Sequence, residues 1–135
     1  MADMITPNFS KSEMACRCGC GIFEMDGEFM RMLQELRNQM NGPLRVTSAR
    51  RCDTHNHEVS TAKNKKNGVH THGQASDILI SGERAMLLFE KARHIGFSGI
   101  GLSQKGDHAS RFVHLDTKPR KALGAIEMLR ILLLF

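Results

Sequence analysis

Read together, His70, Asp77 and His114 form a set of side chains suited to metal chemistry. His70 closes a polar stretch, Asp77 opens a short apolar run, and His114 stands between Val113 and Leu115 with Asp116 two positions on. Two imidazole nitrogens and a carboxylate oxygen form a common three-ligand set for Zn2+, with a fourth position left open and no redox role implied. On a strand, side chains two apart share a face, so His114 and Asp116 would point the same way. The His-Glu-x-x-His helix of another large class of zinc enzymes is absent. Composition leaves the matter open, because any one of the seven histidines also suits a packed or surface position.

The elements that must position these residues can be read from periodicity. Asp26 is a plausible N-cap, and Phe29, Met32, Leu33, Leu36 and Met40 follow at helical spacing until Asn41-Gly42-Pro43 closes the stripe. Its methionines read as core filling. Leu44 to Ser48 reads as a strand, and Arg50 to Asn67 as a long polar loop with one helical turn. Ser76 to Ile80 is a second strand. Ser81 caps a helix with Ala85, Leu88, Phe89, Ala92 and Ile95 on one face, ended by Gly96. Phe97 to Leu102 and Arg111 to Asp116 are two strands joined by a polar turn, and the last 15 residues return to helical spacing through Ala122, Ile126, Leu129 and Leu133. The sum is an α+β domain with antiparallel pairing.

At 135 residues, 41% hydrophobic and 24% charged, the chain has the make-up of one folded domain rather than a disordered one. A net charge of +5 leans toward anionic partners. Without Trp or Tyr it lacks stacking platforms, which argues against specific nucleic-acid binding. No stretch approaches the roughly 20 apolar residues of a membrane span, and Ile131 to Phe135 reads as the end of a docked helix. Met1 to Ser10 has neither a basic start nor an apolar core, so no secretory signal is expected. Cys16, Cys18 and Cys20 form a Cys-x-Cys-x-Cys run, with Cys52 alone downstream. Reduced thiols, a structural metal and a disulfide to Cys52 all stay open.

Longer matches surround the first three residues. His70-Thr-His-Gly73-Gln-Ala75-Ser-Asp77 follows His-x-x-Gly-x-Ala-x-Asp, and Phe112-Val-His114-Leu-Asp116 ends in His-x-Asp. Asn8-Phe-Ser, Pro43-Leu-Arg-Val-Thr-Ser48-Ala-Arg-Arg51, His55-Asn56 and Gly99-Ile-Gly101 fall in matching order. Together these resemble the D-alanyl-D-alanine carboxypeptidase family of zinc peptidases, relatives of lysostaphin-type enzymes and of the hedgehog domain, over roughly residues 8 to 120. The resemblance implies a single domain spanning 1–135, with a small antiparallel sheet packed with helices. It also implies one Zn2+ per chain on His70, Asp77 and His114. The implied activity is D,D- or L,D-carboxypeptidase or endopeptidase cleavage of peptidoglycan peptide stems by a monomer. With no signal peptide, a phage-lysin-like protein is expected, cytoplasmic until release or virion-associated.

Arg51 matches the family arginine after Thr-Ser-x-x, which implies docking of a substrate carbonyl or carboxylate in a bidentate fork; Arg50 beside it is an alternative. Relatives place an acidic residue three before the last histidine, or a histidine two before it. Arg111 and Phe112 stand there instead. Asp116 is then the first candidate for the general base and His108 the second, while Asp116 serves equally well as a partner that orients His114. His55, His57 and His72 read as loop residues. A zinc-binding module without catalysis, serving in wall binding or virion structure, is the alternative reading.

Overall fold

The computed structural model describes residues 3–59 and 68–119, and the backbone of 130–134. A short hairpin of β1 (Met4–Thr6) and β2 (Phe9–Ser10) opens the chain, and α1 (Lys11–Met14) follows at once. The Ser10 hydroxyl accepts the Glu13 N–H while the Glu13 carboxylate accepts the Ser10 N–H. This reciprocal cap satisfies two end groups of a helix only four residues long. The Ser10-x-x-Glu13 signature is present in the sequence, but the helical stripe further on dominates the periodicity.

Helix α2 (Gly27–Met40) starts where the stripe predicts. The Asp26 carboxylate accepts the Phe29 N–H at 2.9 Å, and Asn41 ends the helix in the left-handed region at φ 51°. Strand β3 (Arg45–Ser48), helix α3 (Asp53–Val59), strand β4 (Ala75–Leu79) and helix α4 (Gly82–Ile95) follow. The α3 helix is longer than the single turn expected inside the polar loop. Ser81 occupies the N-cap position of α4 without a side-chain capping bond, and Gly96 closes the helix. Strands β5 (Gly99–Ser103) and β6 (Phe112–Asp116) form the expected hairpin, with a 3-10 turn at His108–Ser110.

Five strands make the main sheet in the order β3-β4-β6-β5-β7, where β7 is Arg130–Leu134. The first four are antiparallel in sequence of neighbours, and β7 joins β5 in parallel. Arg130–Leu134 is a strand, not the docked helix end that Leu129, Leu133 and the run Ile131 to Phe135 suggest. A five-residue apolar run has no periodicity that separates helix from strand, and the free edge of β5 supplies the hydrogen-bonding partner. Ala122, Ile126 and Leu129 lie outside the described residues.

The sheet buries one face. Val46, Ile78, Ile100, Leu102, Val113 and Leu115 point into a core shared with Phe29, Leu33 and Leu36 of α2 and Leu88 and Ala92 of α4. Phe29 meets Phe97 edge-on with ring centroids 5.8 Å apart. Leu33 is fully buried at the centre of this layer. Leu33→Ala is expected to cost about 2–5 kcal/mol, read from the midpoint shift in denaturant unfolding. A loss under about 1 kcal/mol would show that α2 does not carry the core.

Candidate metal centre

In the pairing of β4 with β6, Asp77 lies directly opposite His114, and Ala75 opposite Asp116. Directly opposed residues share a face, and so do residues two apart. Asp77, His114 and Asp116 therefore stand together on the side of the sheet away from the core, while Ile78, Val113 and Leu115 between them fill the core. On the other flank of β6, Gly101 opposes His114 and Gly99 opposes Asp116. A Cβ on Gly99 would collide with the Asp116 carboxylate, so the bare backbone there leaves room for the acid to fold over β5.

His70 comes from the turn between Gly68 and Gln74. The turn is closed by the Gly73 N–H to the His70 carbonyl at 3.4 Å and the Gln74 N–H to the Val69 carbonyl at 3.1 Å. Gly73 has φ 70°, and a Cβ there would stand 2.8 Å from the Glu24 carbonyl oxygen. Only glycine fits that close approach. Its carbonyl accepts the Asp26 N–H at 2.9 Å, which ties the turn to the start of α2. The His70 Nδ1–H donates to the Ala49 carbonyl at 2.7 Å. Since a carbonyl only accepts, this bond fixes the tautomer and leaves Nε2 with a free lone pair.

That Nε2 faces Asp77 Oδ1 at 3.7 Å, and His114 Nδ1 faces the same oxygen at 3.0 Å. One ligand atom from each of the three residues lies within 4.8 Å of the others. Zinc bonds of about 2.0–2.1 Å at tetrahedral angles set such atoms about 3.3 Å apart, a value that the 3.0 and 3.7 Å separations bracket. The donor set and its spacing fit a zinc ion. His114 Nε2 in turn faces Asp116 Oδ2 at 2.8 Å, and the other Asp116 oxygen accepts the Lys118 N–H at 3.1 Å.

Burial and charge pull these groups apart. Burial pushes the His70 imidazole down to about 4, so it is neutral at physiological pH. Burial also opposes a charge on His114, but the carboxylates of Asp116 and Asp77 outweigh it and raise the imidazole to about 9. Burial would raise Asp77, yet the His114 hydrogen bond and the nearby His70, His114 and Arg51 hold it below the usual carboxylate range. In metal-free protein His114 is thus an imidazolium that donates to both acids.

Arg51 reaches the same place. Its Nη2 lies 3.7 Å from Asp77 Oδ2, its Nε donates to the Ser48 hydroxyl at 3.2 Å, and its Nη1 donates to the Asn56 amide oxygen at 3.2 Å. Arg50 instead donates Nη1 to the Glu24 carbonyl at 2.8 Å. Asn56 is buried and shapes the Arg51 fork, a role that periodicity does not reveal. His57 and His72 are exposed, and His55 lies half-buried in α3. His108 sits on the exposed tip of the β5–β6 hairpin. Among the described residues, no hydrogen bond or ion pair joins it to His70, Asp77 or His114.

A protein-family model, Peptidase M15, matches residues 7–116, most of the chain and all three candidate ligands. The chain belongs to the Peptidase M15 family. A search of curated proteins finds no match. Membership makes this M15 protein a member of a zinc-dependent metallopeptidase family, and its three-residue cluster is the candidate site for that ion.

The opposite shifts of the two imidazoles in this M15 protein have measurable consequences. His114 is raised from 6.5 to about 9 in the fold, so its stabilising contribution is full below about pH 6.5 and is lost as pH rises through 9. His70 is lowered to about 4, so its contribution is full above about pH 6.5 and falls away toward pH 4. In chelator-treated protein, NMR titration is expected to show the His114 ring changing near pH 9 and the His70 ring only near pH 4. Two rings titrating together near pH 6.5 would contradict this account.

Proposed function

We propose that this M15 metallopeptidase is a zinc peptidase that hydrolyses the peptide stems or cross-links of bacterial peptidoglycan. The observation that carries the reading is a set of three protein donors among the described residues, with the His114 side chain still 24% exposed. Closed structural zinc sites take four protein ligands, whereas catalytic ones take three and keep a position open. Zinc held there would supply a Lewis acid for a substrate carbonyl and an activated water nucleophile. The net charge of +5 suits approach to an anionic wall. A phage-lysin-like setting, with the monomer cytoplasmic until release or virion-associated, is part of the same reading.

Within it, His70, Asp77 and His114 hold the ion. Arg51 fixes Asp77 and offers its two remaining N–H groups to a substrate carbonyl or carboxylate. Both oxygens of Asp116 already have partners and the residue is only 4% exposed, which favours orientation of His114 over proton transfer. His108 is then the sequence candidate left for proton transfer.

Purified peptidoglycan incubated with zinc-loaded protein is expected to yield products identifiable by mass. Release of a terminal alanine marks a carboxypeptidase, and loss of cross-linked dimers marks an endopeptidase. Arg111 and Phe112 at the usual base positions favour a second reading, a zinc-binding wall or virion module without catalysis. Full zinc occupancy with no products would establish that reading and end the first. Asp116→Asn separates the two roles of the acid. It is expected to weaken zinc binding by about 10–100-fold, with excess zinc restoring much of the rate. Unchanged zinc affinity with a rate lower by about 10²–10⁴ would instead make Asp116 the base.

A further inference from the structure

A second group of potential ligands lies outside the candidate active site. Cys16, Cys18 and Cys20 from the segment after α1 meet Cys52 from the loop after β3, and all four are free thiols. The sulfurs of Cys16 and Cys18 are 3.4 Å apart, those of Cys16 and Cys52 3.8 Å, and those of Cys18 and Cys52 3.6 Å. The Cys20 sulfur lies within 4.8 Å of the others. Zinc–sulfur bonds of about 2.3 Å in a tetrahedron place neighbouring sulfurs about 3.8 Å apart. A disulfide needs two sulfurs; here four converge from segments more than thirty residues apart in sequence.

The surroundings also suit thiolates. The Cys52 N–H points at the Cys16 sulfur at 3.4 Å, and the His55 N–H at the Cys52 sulfur at 3.4 Å. Such amide donors stabilise metal-bound sulfur. Gly19 and Gly21, at φ 88° and 89°, curl the chain on either side of Cys20. The Arg17 guanidinium donates to the carbonyls of Glu13 and Ala15 at 2.7 and 2.9 Å, and to those of Val46 and Thr47 at 3.3 Å each. The cysteine-bearing segment is thereby laced to β3.

We propose that Cys16, Cys18, Cys20 and Cys52 bind a second zinc ion, a closed four-sulfur structural site distinct from the one on His70, Asp77 and His114. Four soft thiolates and no vacant position select zinc for folding rather than catalysis. The ion would hold the loop of residues 49–52, whose Ala49 carbonyl accepts the His70 ring N–H and whose Arg51 faces Asp77. The proposal does not depend on peptidase activity, because it is read from metal content alone.

Protein purified under reducing conditions without chelator is expected to contain two zinc ions per chain. His114→Ala should retain one, and Cys18→Ala/Cys20→Ala, which alters two exposed residues, should retain the other. Cobalt substituted into His114→Ala, with every cysteine intact, should show the intense thiolate-to-cobalt charge-transfer absorption of a four-sulfur site. That measurement stands even where the double cysteine variant fails to fold. A single zinc per chain that is lost in His114→Ala, no charge-transfer band in cobalt-loaded His114→Ala, iron in place of the second zinc, or a mass showing a disulfide among the four would each overturn the proposal.

Discussion

The register of β4 against β6 is the constraint on which the site depends. With Asp77 facing His114 across the ladder, two ligand atoms come within 3.0 Å without any loop to hold them. A slip of one residue would turn every side chain of β4 over, sending Asp77 into the apolar layer and Ile78 into the site. Ile78, Val113 and Leu115, all fully buried, make that slip costly. The hydrophobic core thus specifies the candidate metal site indirectly, because correct burial on one face determines which residues meet on the other. Gly99 and Gly101 complete the arrangement by leaving space over β5 for the acid and imidazole of β6.

Only His70 among the three depends on a turn, and its supports are correspondingly dense. The Ala49 carbonyl takes its ring N–H, the Arg51 N–H bonds its carbonyl at 3.0 Å, and Gly73 beside it packs against Glu24 and Met25. Charge adds a second constraint. Asp77 and Asp116 face His114, with Arg51 behind Asp77, so the two carboxylates favour a second proton on the His114 ring in the metal-free protein. A divalent ion held by His70, Asp77 and His114 would have to displace one ring proton of His114, and Asp116 would remain the acceptor for the other. Asp116, one of the two acids that make His114 basic, would therefore also make it a stronger ligand once the displaced proton is gone.

What could be read in the sequence follows from how local each signal is. The α2 stripe, the Asp26 cap and the β5–β6 hairpin rest on contacts within one element or between neighbours, and the structure has them close to the expected bounds. The grouping of His70 with Asp77 and His114 spans 44 positions between its first and last members and came from motif order, since spacing alone does not reveal register. The Ala49 carbonyl was invisible for a plainer reason: a backbone acceptor carries no residue identity. The tail failed because apolar runs fit either element, and the choice of a strand rests on the edge that β5 offers. The four cysteines were legible as a set, but their meeting depends on α1 and β3 lying side by side, which no local pattern states.

The hydrophobic effect does not reach the whole molecule evenly. Between Cys16 and Phe29 no residue is fully buried, so the segment that leads from α1 into α2 offsets its ordering entropy only with half-buried side chains such as Met25, which packs against the core. Yet this segment lies against both the Gly73 turn and the loop carrying Arg51. Glu24 offers its carbonyl to Arg50, and Asp26 bonds Gly73. Hydrogen bonds at a partly exposed surface contribute only about 0.5–1.5 kcal/mol each, and several must act together to fix a stretch of this length. A closed metal site supplies ordering of another kind, independent of apolar area and concentrated on a few atoms. In a small domain whose core lies on one face of its sheet, that is a direct physical route to holding a ligand-bearing turn on the other face.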